Sequence, residues 1–106
     1  MSLDAVDPLL AAPKRLAALG VLANSSDTEF AFLRDHLDLS DSDLSKQMSA
    51  MVEADYATVR KTGRGRHRRT WFRITKAGRH ALTDHVAALN ALVDLAPSAP
   101  DLVGET

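Results

Sequence analysis

Two short strand-like runs restrict the fold more than any other feature, because apolar residues elsewhere in the chain recur at helical spacing. Residues 57–62 and 70–74 are rich in β-branched and aromatic side chains, and residues 63–66 between them read Gly-Arg-Gly-Arg, the composition of a turn. These runs predict one β-hairpin. The chain has 106 residues, which fits a single core, and only 5% of them are aromatic, which favours packed helices over a large sheet. The sequence therefore predicts one α+β domain that is mostly helical.

The first predicted helix spans about residues 9–24, where leucines and alanines recur on one face. Asp7 is a suitable N-cap for this helix, and Pro8 fits the first helical position, where a missing N–H has little effect. Pro13 conflicts with a helix that starts so early, because a proline ring clashes with the preceding turn. We therefore expect the helix to break or restart at Pro13.

A short helix, a tight turn and a longer helix are predicted next. Asp27 or Thr28 can cap the short helix, which carries apolar residues as far as Leu37. Ser40, followed three residues later by Asp43, resembles a capping box and predicts a longer helix over about residues 41–54. The inward side of the longer helix is apolar and its outward side is polar.

The last predicted helix starts after Thr75, a good N-cap, and carries an apolar seam at near-heptad spacing. The seam consists of Leu82, Val86, Leu89 and Val93. Prolines and a glycine near the end of the chain cannot continue this helix. We expect residues 1–96 to form one domain, including the first and last helices, and residues 97–106 to form a flexible tail.

Basic residues are concentrated on and around the predicted hairpin. The formal net charge is -1, but nine of the 13 lysines and arginines lie between positions 60 and 79, where none of the 14 acidic residues lies. The nine are Arg60, Lys61, Arg64, Arg66, Arg68, Arg69, Arg73, Lys76 and Arg79. Such a field attracts polyanions, and arginines on a narrow hairpin can approach phosphates or enter a minor groove.

The longer helix before the hairpin supplies the second part of a nucleic-acid interface. Its outward face carries short hydroxyl side chains and one lysine, which suit base edges and phosphates in a major groove. The residues predicted to contact DNA, on the helix and then on the hairpin, are Ser42, Ser45, Lys46, Ser49, Arg60, Lys61, Arg64, Arg66, Arg68 and Arg69.

Three stretches carry a resemblance to a known family. They are residues 39–48 (LSDSDLSKQM), residues 51–56 (MVEADY) leading into residues 59–61 (VRK), and residues 69–79 (RTWFRITKAGR). In this order they resemble winged helix-turn-helix regulators related to the MarR and ArsR groups, over roughly residues 8–93 and as a compact one-domain branch. The resemblance implies a recognition helix in the major groove, a wing on the flanking backbone or minor groove, and a dimer on a palindromic operator.

The first and last helices offer more apolar surface than one small domain can easily cover. A partner subunit would cover this surface, and a protein that binds half-sites one DNA turn apart gains from two-fold symmetry. The predicted homodimer interface comprises Leu9, Leu10, Leu19, Val86, Leu89, Leu92 and Val93. The alternative is that the two helices pack only on each other. A small effector, if one is sensed, would have to bind between these helices, and no set of residues specifies one.

Chemistry other than binding has little support in the sequence. The chain has no cysteine, which excludes disulfides, thiolate metal sites and a cysteine nucleophile. His80 and Asp84 are one helical turn apart, but His85 is rotated away from them, so we expect no metal and no cofactor. The sequence shows neither a Gly-rich phosphate loop nor a nucleophile with a neighbouring base, so no motif points to an enzyme. No signal peptide or membrane span is recognisable, so we expect a cytoplasmic, nucleoid-associated protein without a membrane partner.

Two other functions remain open at the level of the sequence. An RNA-binding winged helix protein would use the same basic hairpin. A protein-interaction module would use the apolar helical seams instead, and it would tolerate the loss of positive charge from the hairpin.

Overall fold

The computed structural model describes residues 3–94 and 99–100, which form four α-helices and one three-stranded antiparallel sheet. In chain order the elements are a 3-10 turn at Leu3–Ala5, α1 at Pro13–Ala23, β1 at Thr28–Glu29, α2 at Phe30–Leu37, α3 at Asp41–Glu53, β2 at Ala57–Thr62, a 3-10 turn at Gly65–His67, β3 at Arg69–Ile74 and α4 at Lys76–Asp94. The predicted mostly helical α+β winged helix-turn-helix fold is confirmed. The predicted tail of residues 97–106 lies outside the described residues except for Ala99 and Pro100. In the described part of the chain, no helix is long and apolar enough to cross a membrane.

Helix α1 begins at Pro13, so the prediction of Asp7 as its N-cap is wrong. The expected restart at Pro13 is confirmed, because proline has no N–H to lose and its φ angle suits the first helical position. The carboxylate of Asp7 instead accepts a hydrogen bond from the backbone N–H of Leu9 at 2.9 Å. This bond closes a separate turn before α1.

A short strand that the sequence does not predict precedes α2. Strand β1 pairs antiparallel with β3, with Thr28 opposite Phe72, and the strand order of the sheet is β1-β3-β2. Helix α2 then begins at Phe30 with no side-chain hydrogen bond at its N-cap, so the prediction of Asp27 or Thr28 as the cap is wrong. Pairing with β3 holds this segment in the extended conformation, which displaces the start of the helix.

The caps of α3 and α4 are as predicted. The Ser40 hydroxyl accepts a hydrogen bond from the backbone N–H of Asp43 at 3.1 Å. The Thr75 hydroxyl accepts one from the backbone N–H of Gly78 at 2.9 Å. In each case the side-chain oxygen satisfies a backbone N–H that has no partner within the helix, which places the helix start at the residue after the cap.

The β2–β3 hairpin is confirmed, with Ala57 opposite Ile74 at its base. Because side chains alternate between the two faces of a strand, Phe72 and Ile74 enter the core while Trp71 lies on the other face. We call the face towards the helices the inner face, and it carries Ala57, Val59, Lys61, Thr70, Phe72 and Ile74. The outer face carries Thr58, Arg60, Thr62, Arg69, Trp71 and Arg73.

The core lies between the helices and the inner face of the sheet. Its buried members are Leu10, Ala18, Leu19, Leu22, Leu33, Leu44, Met48, Met51, Ala57, Phe72 and Ile74. Leu10 and Leu19, which the sequence analysis placed at the dimer interface, are 0% exposed in the single chain. Because both side chains are fully enclosed by this core, they provide no surface to a second subunit, and the predicted interface is corrected accordingly.

A polar cluster connects the segment before α1 to the loop between α3 and β2 and to α4. The Tyr56 hydroxyl donates a hydrogen bond to Oδ2 of Asp7 at 2.6 Å, and the backbone N–H of Asp7 donates one to Nδ1 of His85 at 3.0 Å. His85 is 1% exposed, and its Nε2 has no hydrogen-bond partner among the described residues. The cluster therefore anchors the N-terminal segment on two elements at once.

The single tyrosine of the chain gives this cluster a pH-dependent signature. Its hydrogen bond to Asp7, together with burial, raises the pKa of Tyr56 from 10.0 to about 12. Because the folded chain holds the phenolic proton more tightly than the unfolded chain, this contribution to stability is complete below pH 10 and is lost as the pH rises through about 12. We expect Tyr56→Phe to lower the free energy of unfolding at neutral pH by about 1–2 kcal/mol, because a hydrogen bond to a carboxylate is lost.

The measurements are phenolate absorbance, which titrates Tyr56 directly, and denaturant unfolding across the same pH range. The variant with phenylalanine should show a smaller decline in stability between pH 10 and 12 than the wild type. An equal decline in both proteins would show that the phenol contributes nothing to it.

Candidate nucleic-acid interface

Helix α3 presents all four of its predicted DNA-contacting residues to solvent. These residues are Ser42, Ser45, Lys46 and Ser49. The opposite side of the helix is held by Leu44, Met48 and Met51, each at most 1% exposed. The Ser42 hydroxyl lies 3.3 Å from the hydroxyl of the capping Ser40, so it already has a local hydrogen-bond partner. The other three polar side chains have no hydrogen-bond partner among the residues that the structure describes.

Two carboxylates at the start of α3 are each paired with a cation from a neighbouring helix. Asp43 lies 2.5 Å from Nζ of Lys14, and Asp41 lies 2.9 Å from Nη1 of Arg34. Hydrogen bonds from Lys14 and then from Gln47 hold the pKa of Asp43 below its usual range. The cations offset the negative charge that these two residues would otherwise present to an approaching phosphate.

Gln47 anchors α3 to α1, and sequence reasoning missed it. It is 8% exposed, and its Oε1 accepts a hydrogen bond from Nη1 of Arg15 at 2.9 Å. It sits three residues after Leu44 and four before Met51, which is the spacing of the buried face. That spacing was the signal that could have identified a buried polar residue in this stretch.

A groove of about 460 Å³ separates α3 from the inner face of the hairpin. Its apolar lining comes from Phe30, Met48, Val52, Val59 and Phe72, and its polar lining from Ser45, Ser49, Glu53, Lys61 and Thr70. Ser45 and Ser49 from the helix and Lys61 from the hairpin therefore border the same concave surface. Sequence reasoning predicted these three residues but could not show that they face each other.

The wing tip, residues 63–68, is a shaped turn with a basic surface. Gly63 and Gly65 have φ angles of 76° and 58°, in the left-handed region that favours glycine. A Cβ at Gly63 would lie 2.1 Å from the carbonyl oxygen of His67, so the turn requires glycine there. The tip arginines are Arg64, Arg66 and Arg68. All three are exposed, and none pairs with a carboxylate within residues 3–94 and 99–100.

The arginines on the strands are arranged differently from those at the tip. Arg60 and Arg69 lie on the outer face, away from the groove beside α3. Nη2 of Arg60 is 3.5 Å from Asp27, and Nη1 of Arg69 is 2.5 Å from Glu29. Both acidic residues are distant in sequence from the basic segment and are brought to it by β1. The two guanidiniums are therefore less available to phosphates than those of the tip.

Helix α4 leaves part of its apolar seam uncovered. Val86 is 42% exposed and Val93 is 76% exposed, whereas Leu89 and Leu92 are half-buried. Leu9 is half-buried and packs against the core. These five side chains are the part of the predicted dimer interface that a second subunit could contact.

The histidines considered as metal ligands have separate surroundings. His80 and Asp84 are exposed on α4, whereas His85 is buried and accepts the hydrogen bond from Asp7. His36 stacks on Phe32 with ring centroids 5.6 Å apart. Among the described residues, no group of three or more His, Cys, Asp or Glu side chains could hold a metal ion.

A helix-turn-helix whose second helix is polar on its exposed side, followed by a wing with a basic tip, defines a winged helix DNA-binding domain. The chain belongs to the family described as the winged helix DNA-binding domain, whose model matches residues 14–93. The match includes nearly all of α1 and α4 and everything between them, so it covers the recognition helix and the wing together.

Solved structures with this fold include several transcription regulators. A transcriptional regulator homologue from Pyrococcus horikoshii OT3 is 22% identical, with a TM-score of 0.75 over 81% of this chain and 85% of that one. The PcaV transcriptional regulator from Streptomyces coelicolor, solved with its natural ligand, is 16% identical, with a TM-score of 0.66 over 88% and 68%. ZitR from Lactococcus lactis, a zinc-responsive MarR family member, is 15% identical, with a TM-score of 0.58 over 77% and 56%. The likeness confirms the winged helix fold that the resemblance predicted. No curated protein matches the chain.

Proposed function

We propose that the chain is a transcription regulator that binds double-stranded DNA as a homodimer. In this proposal α3 reads base edges in the major groove, and the wing tip contacts the flanking backbone or minor groove. The observation that carries the proposal is the shared groove, where Ser45 and Ser49 of α3 face Lys61 of the wing. The winged helix family and the likeness to transcription regulators support DNA binding rather than catalysis. A regulator of this kind would act in the cytoplasm, where the chromosome of a bacterial-type cell lies.

The homodimer rests on the uncovered seam of α4. Exposed valines on a helix that is otherwise partly packed are an apolar surface that a second copy would remove from water. A two-fold axis through such an interface would present two copies of α3 to successive turns of the duplex, so the operator would be palindromic.

The test is selection of binding sites from a random pool of duplex DNA by the purified protein at two salt concentrations. Enrichment of a two-fold-symmetric site would establish a dimeric, sequence-specific regulator. Retention that depends on salt but enriches no site would overturn sequence-specific recognition. A parallel competition with structured RNA tests one of the two alternatives, because preference for RNA would identify an RNA-binding winged helix protein.

Lys46 is the cation on the exposed face of α3 and is expected to contribute strongly to binding. Lys46→Ala should weaken binding to the selected duplex by roughly tenfold, because a lysine at a recognition helix contacts either a phosphate or a base edge. The matched control is Lys76→Ala, at the opposite end of β3 from the wing tip, which removes the same charge and should change affinity little. Affinities come from fluorescence anisotropy. Equal losses of affinity in the two variants would mean that only the net charge of the protein matters. Relaxed sequence preference of Lys46→Ala at one position of each half-site would indicate that Lys46 contacts a base.

A further inference from the structure

The outer face of the wing carries an ion-pair network that the DNA-binding proposal does not use. Its members are Asp27, Glu29, Arg60, Arg69 and Arg73, which we call the outer-face network. The two acidic residues come from β1 and the loop before it, and the three arginines come from β2 and β3. The network therefore joins the wing to the segment that leads directly into α2.

Asp27 is the centre of this network because it contacts both strands of the wing. Arg73 donates from Nε to Oδ1 at 3.2 Å and from Nη2 to Oδ2 at 2.9 Å, so this pair is held at two points. Nη2 of Arg60 lies 3.5 Å from the same Oδ2. Nε of Arg73 also donates to the carbonyl oxygen of Ser26 at 3.2 Å, which fixes the backbone beside Asp27 as well.

The contacts continue along the outer face towards the wing tip. Trp71 lies between Arg69 and Arg73 on β3, and its Nε1 donates to the hydroxyl of Thr62 at 3.0 Å. Arg69, at the tip end of β3, pairs with Glu29 at 2.5 Å. Each end of the outer face of β3 is therefore tied to an acidic residue within the three positions before α2.

This arrangement links the wing to the recognition helix by a short route. Glu29 is followed directly by α2, and only three residues separate α2 from α3. The angle between the wing and α3 decides whether Lys61 and the tip arginines can contact the same duplex as Ser45 and Ser49. A contact that sets this angle affects DNA binding without touching DNA.

We propose that Asp27 is a positioning residue for DNA recognition, which holds the wing against the helix-turn-helix through Arg73 and Arg60. The inference rests on the proposed DNA-binding function and adds a specific role for a residue outside the interface. The outer-face arginines accordingly act on the orientation of the wing rather than as phosphate contacts.

The charge of Asp27 and its contacts with the wing predict opposite effects on DNA affinity when this residue is replaced. Hydrogen bonding from Arg73 holds the pKa of the Asp27 carboxyl below its usual range, so the group is ionised at neutral pH. A carboxylate on a DNA-binding protein repels phosphates, so its removal should tighten binding if charge alone matters. If Asp27 positions the wing, its removal should weaken binding to the selected site.

The experiment compares Asp27→Asn with a matched control, Asp38→Asn. Asp38 is exposed and makes no ion pair among the described residues, and its φ of 54° is tolerated by asparagine. We expect Asp27→Asn to weaken binding to the selected duplex by roughly three- to tenfold, the size of effect expected on removing one member of a coupled network. The control should keep its affinity within about twofold, since exposed charges are screened by salt.

A second readout needs no DNA. Trp71 is the single tryptophan of the chain and lines a cleft together with Asp27, Arg60 and Arg73, so acrylamide quenching of its fluorescence reports on the wing. Quenching should increase in Asp27→Asn and stay at the wild-type value in Asp38→Asn. A thermal melt establishes that each variant is folded, and Arg73→Lys provides a second test that retains the charge but loses the two-point contact.

Weaker binding with increased quenching in both Asp27→Asn and Arg73→Lys supports the inference. Tighter or unchanged binding to the selected duplex overturns it, as does quenching that does not change. If the wild-type protein selects no duplex, the proposed function fails by itself. Acrylamide quenching of Trp71 in Asp27→Asn and in Arg73→Lys then still shows whether Asp27 holds the wing.

Discussion

Replacement of Arg66 and Arg68 together by alanine is expected to flatten the salt dependence of DNA binding by about 1.8 units of the log–log slope, since each lost phosphate contact removes about 0.9. Both guanidiniums are exposed on a turn shaped by two glycines, and neither pairs with a carboxylate among the described residues. They are therefore available to phosphates in a way that the strand arginines are not. Affinity at moderate salt should fall by roughly tenfold or more. Fluorescence anisotropy of a labelled duplex over a series of salt concentrations measures both quantities.

The matched comparison is the double replacement of Arg60 and Arg69 by alanine, which removes the same charge from the same hairpin. These two arginines lie on the outer face and pair with Asp27 and Glu29, so the slope should change much less than with the tip variant. Their loss should act mainly on affinity, through the orientation of the wing. Equal flattening by the two double variants would contradict the division between tip and outer face, and an unchanged slope in the tip variant would exclude the tip as a phosphate contact.

Gly78→Ala is expected to destabilise the fold strongly, although it adds only one methyl group. Gly78 lies in the first turn of α4, and a Cβ there would be 2.2 Å from the carbonyl oxygen of Tyr56 and 3.0 Å from its carbonyl carbon. Backbone cannot rotate away as a flexible side chain can, so α4 must shift away from the loop between α3 and β2. We expect a loss of about 2–4 kcal/mol in the free energy of unfolding, a large part of the stability of a domain of this size.

The control for this substitution is Gly20→Ala. Gly20 lies inside α1, and a Cβ there would meet nothing within 4 Å. Because alanine favours the helix over glycine, this change should raise stability by about 0.5–1 kcal/mol. Urea unfolding of the two variants measures the contrast. Similar small effects at both positions would show that α4 can move away from the Tyr56 backbone without cost.

Local signals in the sequence were sufficient for the recognition helix and the wing. Ser40 caps α3 and Thr75 caps α4 through bonds to residues only three positions away, so the pattern is visible in a short window. The alternation that sends Phe72 inwards and leaves Trp71 on the other face is equally local. The exposed serines and Lys46 follow from the 3.6-residue period of the helix.

Structural features that depend on a partner distant in sequence were not predicted. Strand β1 has two residues, too few to form a pattern, and it exists because Thr28 and Glu29 pair with β3 more than 40 positions away in the chain. The caps expected at Asp27 or Thr28 failed for the same reason. Leu10 and Leu19 looked like surplus apolar surface because the sequence does not show how completely the core encloses them.

The sequence by itself therefore determined the class of fold, the recognition helix and the basic hairpin, because helical period, strand alternation and capping act over a few neighbouring residues. Only the tertiary structure decided which of the basic residues are paired with carboxylates. In the sequence, nine cations lie in a stretch without an acidic residue. Once β1 joins the sheet, Asp27 and Glu29 neutralise part of the outer face, whereas the arginines of the wing tip remain unpaired among the described residues. The physical reason is that Coulomb attraction depends on distance in space, which the order of residues along the chain does not reveal.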